Sequence, residues 1–166
     1  MGHKSLAQYL FIDQALISGL SNALINGLIA VAIQRSAKSI DVFGDDGVFD
    51  GLVIMAFLLP FILTIINSTI VERAIKTKKI FFQVDRVSRF LMWGSQRPYW
   101  FIGLCCGGFM SAATFTIIFL LKPTDSLVPL SVTEYGLLVA VIAGLMAAII
   151  SPMTAFLVMA KHSPTN

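Results

Sequence analysis

Apolar residues gather along this chain in four long runs separated by short polar ones. The runs lie near Leu10–Ile33, Leu52–Val71, Phe101–Leu121 and Leu137–Met159. Each reaches the roughly 20 residues that a helix rising 1.5 Å per residue needs to cross about 30 Å of hydrocarbon. The pattern predicts an all-α polytopic membrane protein: one four-helix transmembrane domain over residues 1–166, with a basic loop near 72–100 between the second and third helices. The first run could be mistaken for a signal peptide, because Ala30-Val31-Ala32 imitates a small-x-small cleavage site. Its length, and Gln14, Asn22 and Asn26 inside it, favour a retained span.

That first run carries the most informative pattern. Gln14, Ser18, Asn22 and Asn26 recur every four residues and share one helix face. Beside them Ala15, Gly19, Ala23 and Gly27 form a small-xxx-small row, a surface on which another helix backbone can approach closely. Leu16, Leu20, Leu24 and Leu28 make a third row, the natural lipid face. An amide in hydrocarbon is costly without a hydrogen-bond partner, so the stripe should find partners on other spans or in water. Candidates are Thr64, Asn67, Ser68 and Thr69 in the second span, Ser111, Thr114 and Thr116 in the third, and Ser151 and Thr154 in the fourth. Asp13, Gln14, Asn67, Ser68, Thr69, Ser151 and Thr154 are expected toward one end of the bundle. They form either interhelical glue or the lining of a polar pathway. Asp13 is the one acid inside a proposed span, at the interface or capping the first helix in the simpler reading.

Pro60 and Pro152 interrupt the second and fourth spans and free the carbonyls of Ala56 and Ala148, so kinks are expected. Breaks in corresponding helices can mark a transporter repeat. An offset of 85 residues matches five of 26 positions between 51–76 and 136–161, and the prolines do not align in that register. The repeat is weak.

The loops add detail. Ile80, Val84, Val87 and Leu91 lie at helical spacing, which suggests an amphipathic segment on the membrane surface. Trp93, Tyr99 and Trp100 form an aromatic belt, and Pro98 breaks the chain before the third span. Lys76, Lys78, Lys79, Arg86 and Arg89 make a candidate surface for anionic lipid headgroups or a partner, although basic loops commonly serve topology alone. Acids in the loop Asp41–Gly51 fall at positions 1, 5, 6 and 10, which does not match an EF-hand; Asp50 is expected to cap the second span.

Composition narrows the function classes. The chain is 57% hydrophobic and 13% charged, and its mean hydropathy is +0.84; a soluble domain carries about 25% charged residues. The net charge of +3 reflects membrane orientation rather than nucleic-acid binding. Nine basic residues (Lys4, the loop residues Arg73, Lys76, Lys78, Lys79, Arg86, Arg89 and Arg97, and Lys161) oppose three, Arg35, Lys38 and Lys122. Both termini are therefore expected in the cytoplasm, in a bacterial inner membrane. Adjacent Cys105 and Cys106 read as small buried residues, and His3 and His162 lie near the termini, so no haem, metal or other cofactor is expected. No catalytic constellation appears within the spans, and an enzyme is not expected.

The segment from Gly103 to Thr116, with Gly103, Gly107, Gly108, Phe109, Thr114, Phe115 and Thr116, resembles the Gly-rich, Thr/Phe-containing third helix of fluoride channels. The resemblance covers this segment only. The first- and second-helix patterns of that family are absent, so none of its residues is carried over. Four spans at this length are also similar in architecture to small membrane subunits of tripartite transporters. The residues lead to a self-associating membrane protein that offers a polar pathway or cavity to a small solute or ion. The alternative is a non-catalytic accessory subunit docking a larger membrane protein through the Ala15-Gly19-Ala23-Gly27 face.

Overall fold

The computed structural model describes residues 5–41, 43, 48–77, 89–121 and 129–163, with side chains omitted for 89–91. Four helices in it are long and apolar enough to cross a membrane. The first begins where Ser5 and Gln8 form a reciprocal capping box, and runs through α1 (Leu6–Gln8), a π-helical segment (Tyr9–Leu16) and α2 (Ile17–Gln34). The other elements are α3 (Phe49–Lys76), a short α4 (Arg89–Ser95), α5 (Tyr99–Leu121) and α6 (Val132–His162). Among the described residues the chain is an all-α membrane protein, and the loops meet in an isolated two-residue bridge between Ile40 and Leu130.

Each helix extends beyond its apolar run, and at the start of the first helix and of α6 polar chemistry outside the run sets the end. Ser131 accepts from the Glu134 amide while the Glu134 carboxylate accepts from the Ser131 amide, a capping box that starts α6 five residues before Leu137. At 31 residues α6 is about 46 Å long, so it tilts or projects from the hydrocarbon. Two expectations about acids are corrected. Asp50 lies in the first turn of α3, whose N-cap is Val48; Asp13 lies two turns inside a helix capped by Ser5 and caps nothing. Pro98 precedes α5 as expected, its carbonyl accepting from Phe101 and Ile102. Helices α3 and α6 both continue through their prolines.

The long helices do not pack as four equal neighbours. α2 packs on α6, α6 on α3, and α3 on α5; the remaining pairings of long helices are marginal among the described residues. The α6 helix is the shared element, and it is also the most buried span. Two apolar clusters tie the ends together. Ala30, Ile40, Leu52, Ile118, Tyr135 and Val139 gather all four helices at the end away from the termini. Tyr9, Val71, Ala155, Val158 and Met159 join the first helix, α3 and α6 at the other.

Both tight seams rest on missing side chains. At α2/α6, a Cβ on Gly27 would lie 2.8 Å from the Ala140 Cβ, and one on Gly144 would lie 2.9 Å from the Ala23 Cβ. The α6 row Gly136, Ala140, Gly144 and Ala148 therefore mates with Gly19, Ala23, Gly27 and Val31. At α3/α5, a Cβ on Gly107 would come within 2.6 Å of the Phe57 carbonyl oxygen. In lipid no hydrophobic effect drives helices together, so close dispersion contact of this kind is the main attraction. Leu16, Leu20, Leu24 and Leu28 face outward, each more than half exposed.

The sequence-predicted surface segment is only partly described. Lys78, Lys79 and Arg86, with Ile80, Val84 and Val87, lie outside the described residues. Arg89 opens α4, which packs against α6. Cys105, expected to be buried, is exposed on α5, while Cys106 is half-buried.

Candidate functional site

Polar residues from α2, α3 and α6 meet at Ser151, one residue before Pro152 of α6. Its hydroxyl shares a 2.7 Å hydrogen bond with the Ser18 hydroxyl of α2. Its carbonyl accepts from Asn67 Nδ2 at 2.8 Å, and the same Asn67 nitrogen donates to Thr154 Oγ1 at 2.8 Å. Thr154 in turn donates to the Ser151 carbonyl. Three helices thus meet at one polar junction in which Ser151 and Thr154 are buried and Ser18 and Asn67 half-buried, with Ser68 and Thr64 of α3 also buried. Each amide proton of Asn67 has an acceptor, which is what a dry interior demands.

The other predicted residues do not join this junction. Gln14 donates to the Tyr9 hydroxyl at 2.8 Å, a bond between residues five apart that suits the wider π-helical turn. Asp13 sits half-buried in the same segment and interacts electrostatically with Tyr9. Thr69 is exposed and donates to the Ile65 carbonyl of its own helix. Asn22 and Asn26 donate through Nδ2 to the carbonyls of Ser18 and Asn22, both at 2.9 Å, so they too are satisfied within their own helix.

This local satisfaction has a geometric consequence. A backbone carbonyl can accept only from the amide nitrogen, so the two side-chain orientations are forced. Among the described residues neither Oδ1 accepts a hydrogen bond, and no buried side-chain oxygen lacks a partner, so both Oδ1 atoms are reachable from outside the chain. Ser18 bonds to Ser151 beside Asn67, which turns the Ser18-Asn22-Asn26 flank of α2 toward the α3 side of α6. The candidate site is this α2 flank together with the Ser151 junction, with the two apolar clusters toward the ends of the bundle.

The opposite flank of the α2/α6 seam differs in kind. It is an apolar groove of about 540 Å³, floored by Ala15, Gly19, Ala23, Ala140, Gly144 and Ala148 and walled by larger aliphatic residues and Phe11. The four small residues predicted as a packing face thus serve twice: three approach α6 directly, and Ala15, Gly19 and Ala23 also line the groove.

No family model, curated protein or solved structure matches the chain. The site must be read from its own geometry.

Two features were missed by sequence reasoning. Glu72, at the terminal end of α3, accepts from the Tyr99 hydroxyl at 2.8 Å, pairs with Lys76 at 2.9 Å and lies 3.8 Å from His162 Nε2. Lys161 stands over the Tyr99 ring at 5.0 Å. The cluster clamps α3, α5 and α6 together, and its sequence signal was the Glu72/Lys76 spacing of four. The second is the α6 row Gly136, Ala140, Gly144 and Ala148, which was visible as small residues every four positions. Among the described residues no three His, Cys, Asp or Glu side chains gather as a metal site.

Proposed function

We propose that this integral membrane protein offers a polar pathway or cavity to a small solute or ion, and that the α2 flank bearing Asn22 and Asn26 is its site. The supporting observation is the pair of accessible Oδ1 atoms. The span Leu10–Ile33 has its midpoint between Ser21 and Asn22, so these oxygens stand near the centre of the hydrocarbon. There, an acceptor with no donor is costly. A solute, water, or another protein surface must meet them. Self-association would supply the walls that an open arrangement centred on α6 lacks. In this reading the protein lies in a bacterial inner membrane with both termini in the cytoplasm, where the basic residues near α4 meet anionic headgroups.

The test is flux in reconstituted vesicles. Asn22→Leu should abolish solute flux and leave the protein folded, because Asn22 bonds only to its own helix and holds no seam together. Unchanged flux would refute the assignment.

The apolar groove favours a second reading, an accessory subunit docked to a larger membrane protein through α2. That reading predicts no activity from the isolated chain. Ala15→Leu would fill the groove without entering the Gly19 contact with α6 and should release the partner, and a complex that persists would exclude this surface.

A further inference from the structure

The amide row is only half satisfied within the chain. Asn22 and Asn26 each give one amide proton to a carbonyl of their own helix. Among the described residues the second N–H and the Oδ1 of each take part in no hydrogen bond. Ser21, next to Asn22 and exposed, has a hydroxyl that makes none either. Three adjoining side chains thus present donors and acceptors together.

Their setting makes this costly. Ser21 and Asn22 flank the midpoint of the span Leu10–Ile33, where no water competes for a polar group. The flank is also open, because α2 packs on α6 and its contacts with α3 and α5 are marginal at most among the described residues. Ile25 and Ile29 continue from Ser21 at intervals of four, so an apolar row runs beside the amides; they are 55% and 50% exposed. Amides and hydroxyls placed like this join membrane helices to one another.

Whatever meets the row must offer both donors and acceptors at the same depth in the bilayer. A second copy inserted with the same topology does so by construction. A two-fold axis along the membrane normal sets α2 parallel to its copy and brings residues near the axis opposite themselves. Asn22 then faces the Asn22 of the second copy, and each amide donates its second N–H to the other's oxygen. Paired Asn side chains fix register and parallel orientation in the same way where helices coil together in water.

We propose that the flank of α2 bearing Ser21, Asn22 and Asn26 is the surface through which two copies of this chain pair in parallel, held by reciprocal amide bonds. The proposal rests on the reading of this flank as the site, and it names the partner that supplies the second wall.

Native mass spectrometry of the full chain in detergent, over a dilution series, tests it. Two copies per complex are expected, and Asn22→Leu should weaken the pair by about tenfold or more, the scale of two lost interhelical bonds. Asn22→Gln keeps a donor and an acceptor and should retain part of the affinity. Ala15→Leu, in the groove on the other flank, should leave it unchanged. Cross-linking in native membranes reads the same surface. With Cys105 and Cys106 replaced by Ala, Ile25→Cys should give a disulfide-linked dimer when copper-phenanthroline is added as oxidant, and Leu20→Cys, on the groove side of α2, should not. This second measurement keeps the test intact if Asn22→Leu fails to fold. A monomer at every concentration with no Ile25→Cys dimer would overturn the proposal. So would a pair that Ala15→Leu breaks and Asn22→Leu does not, or an Ile25→Cys cross-link to a different chain only. Flux in vesicles separates this proposal from the pathway reading. A pair that carries no solute keeps the interface and removes the pathway, whereas flux through a chain shown to be monomeric keeps the pathway and removes the interface.

Discussion

The α2/α6 seam makes a sharp prediction about size. In Gly27→Ala the new methyl would lie 2.8 Å from the Ala140 Cβ and 3.1 Å from the Gly136 carbonyl oxygen. Two methyl carbons in contact prefer about 3.5–4.0 Å, so the helices must part locally by several tenths of an ångström or more. Overpacking of this kind costs about 1–3 kcal/mol. Alanine is the better helix former by about 1 kcal/mol, which offsets part of that cost. The expected net loss is about 0–2 kcal/mol, or a Tm lower by up to about 8 °C for a chain of this length. Thermal unfolding in detergent micelles reads it. The decisive measurement is the double variant. Ala140→Gly alone weakens α6 by about 1 kcal/mol, but combined with Gly27→Ala it removes the methyl that collides. The pair should therefore couple favourably by at least about 0.5 kcal/mol. Strict additivity of the two substitutions would refute the seam.

Three other perturbations probe separate parts of the fold. Asn67→Leu removes both bonds from α3 to α6 and should lower stability by about 0.6–2 kcal/mol in the same unfolding assay; an unaltered Tm would mean that the junction contributes nothing. Tyr99→Phe keeps the ring beneath Lys161 but deletes the bond to Glu72, and should cost about 1 kcal/mol; a loss matched by Tyr99→Phe in a Glu72→Ala background would show that the two groups do not interact. Ser131→Ala removes the cap of α6 and should cost about 0.5–2 kcal/mol, with faster amide exchange over Val132–Tyr135; exchange spread evenly along α6 would contradict a local capping role.

The sequence made the spans legible because the physics behind them is one-dimensional: hydrocarbon thickness fixes a run length, and a run is read directly from the chain. The ends were less legible. Ser131 and Glu134 extend α6 beyond its apolar run through a signal that lies outside the run, and Ser5 with Gln8 does the same for the first helix. The small row Ala15-Gly19-Ala23-Gly27 announced a close approach but not its partner. Pairing depends on which of several small-residue faces folds opposite, and only three dimensions place Gly136, Ala140 and Gly144 there.

The amide stripe shows a different kind of shortfall. Periodicity places Gln14, Ser18, Asn22 and Asn26 on one face, and from that alone one bonding scheme was expected for all. A helix offers every side chain a carbonyl one turn back, and Asn can reach it, so a local bond competes with any interhelical one. Ser18 finds Ser151 across the seam, beside Pro152 of α6, whereas Asn22 and Asn26 turn back to their own helix. The row therefore divides into a structural part and an open part. Glue requires both ends of a bond within the protein, and Ser18 and Asn67 meet that requirement. Asn22 and Asn26 meet it with one amide proton each, and their oxygens, which accept no hydrogen bond among the described residues, are the feature that packing alone leaves unexplained.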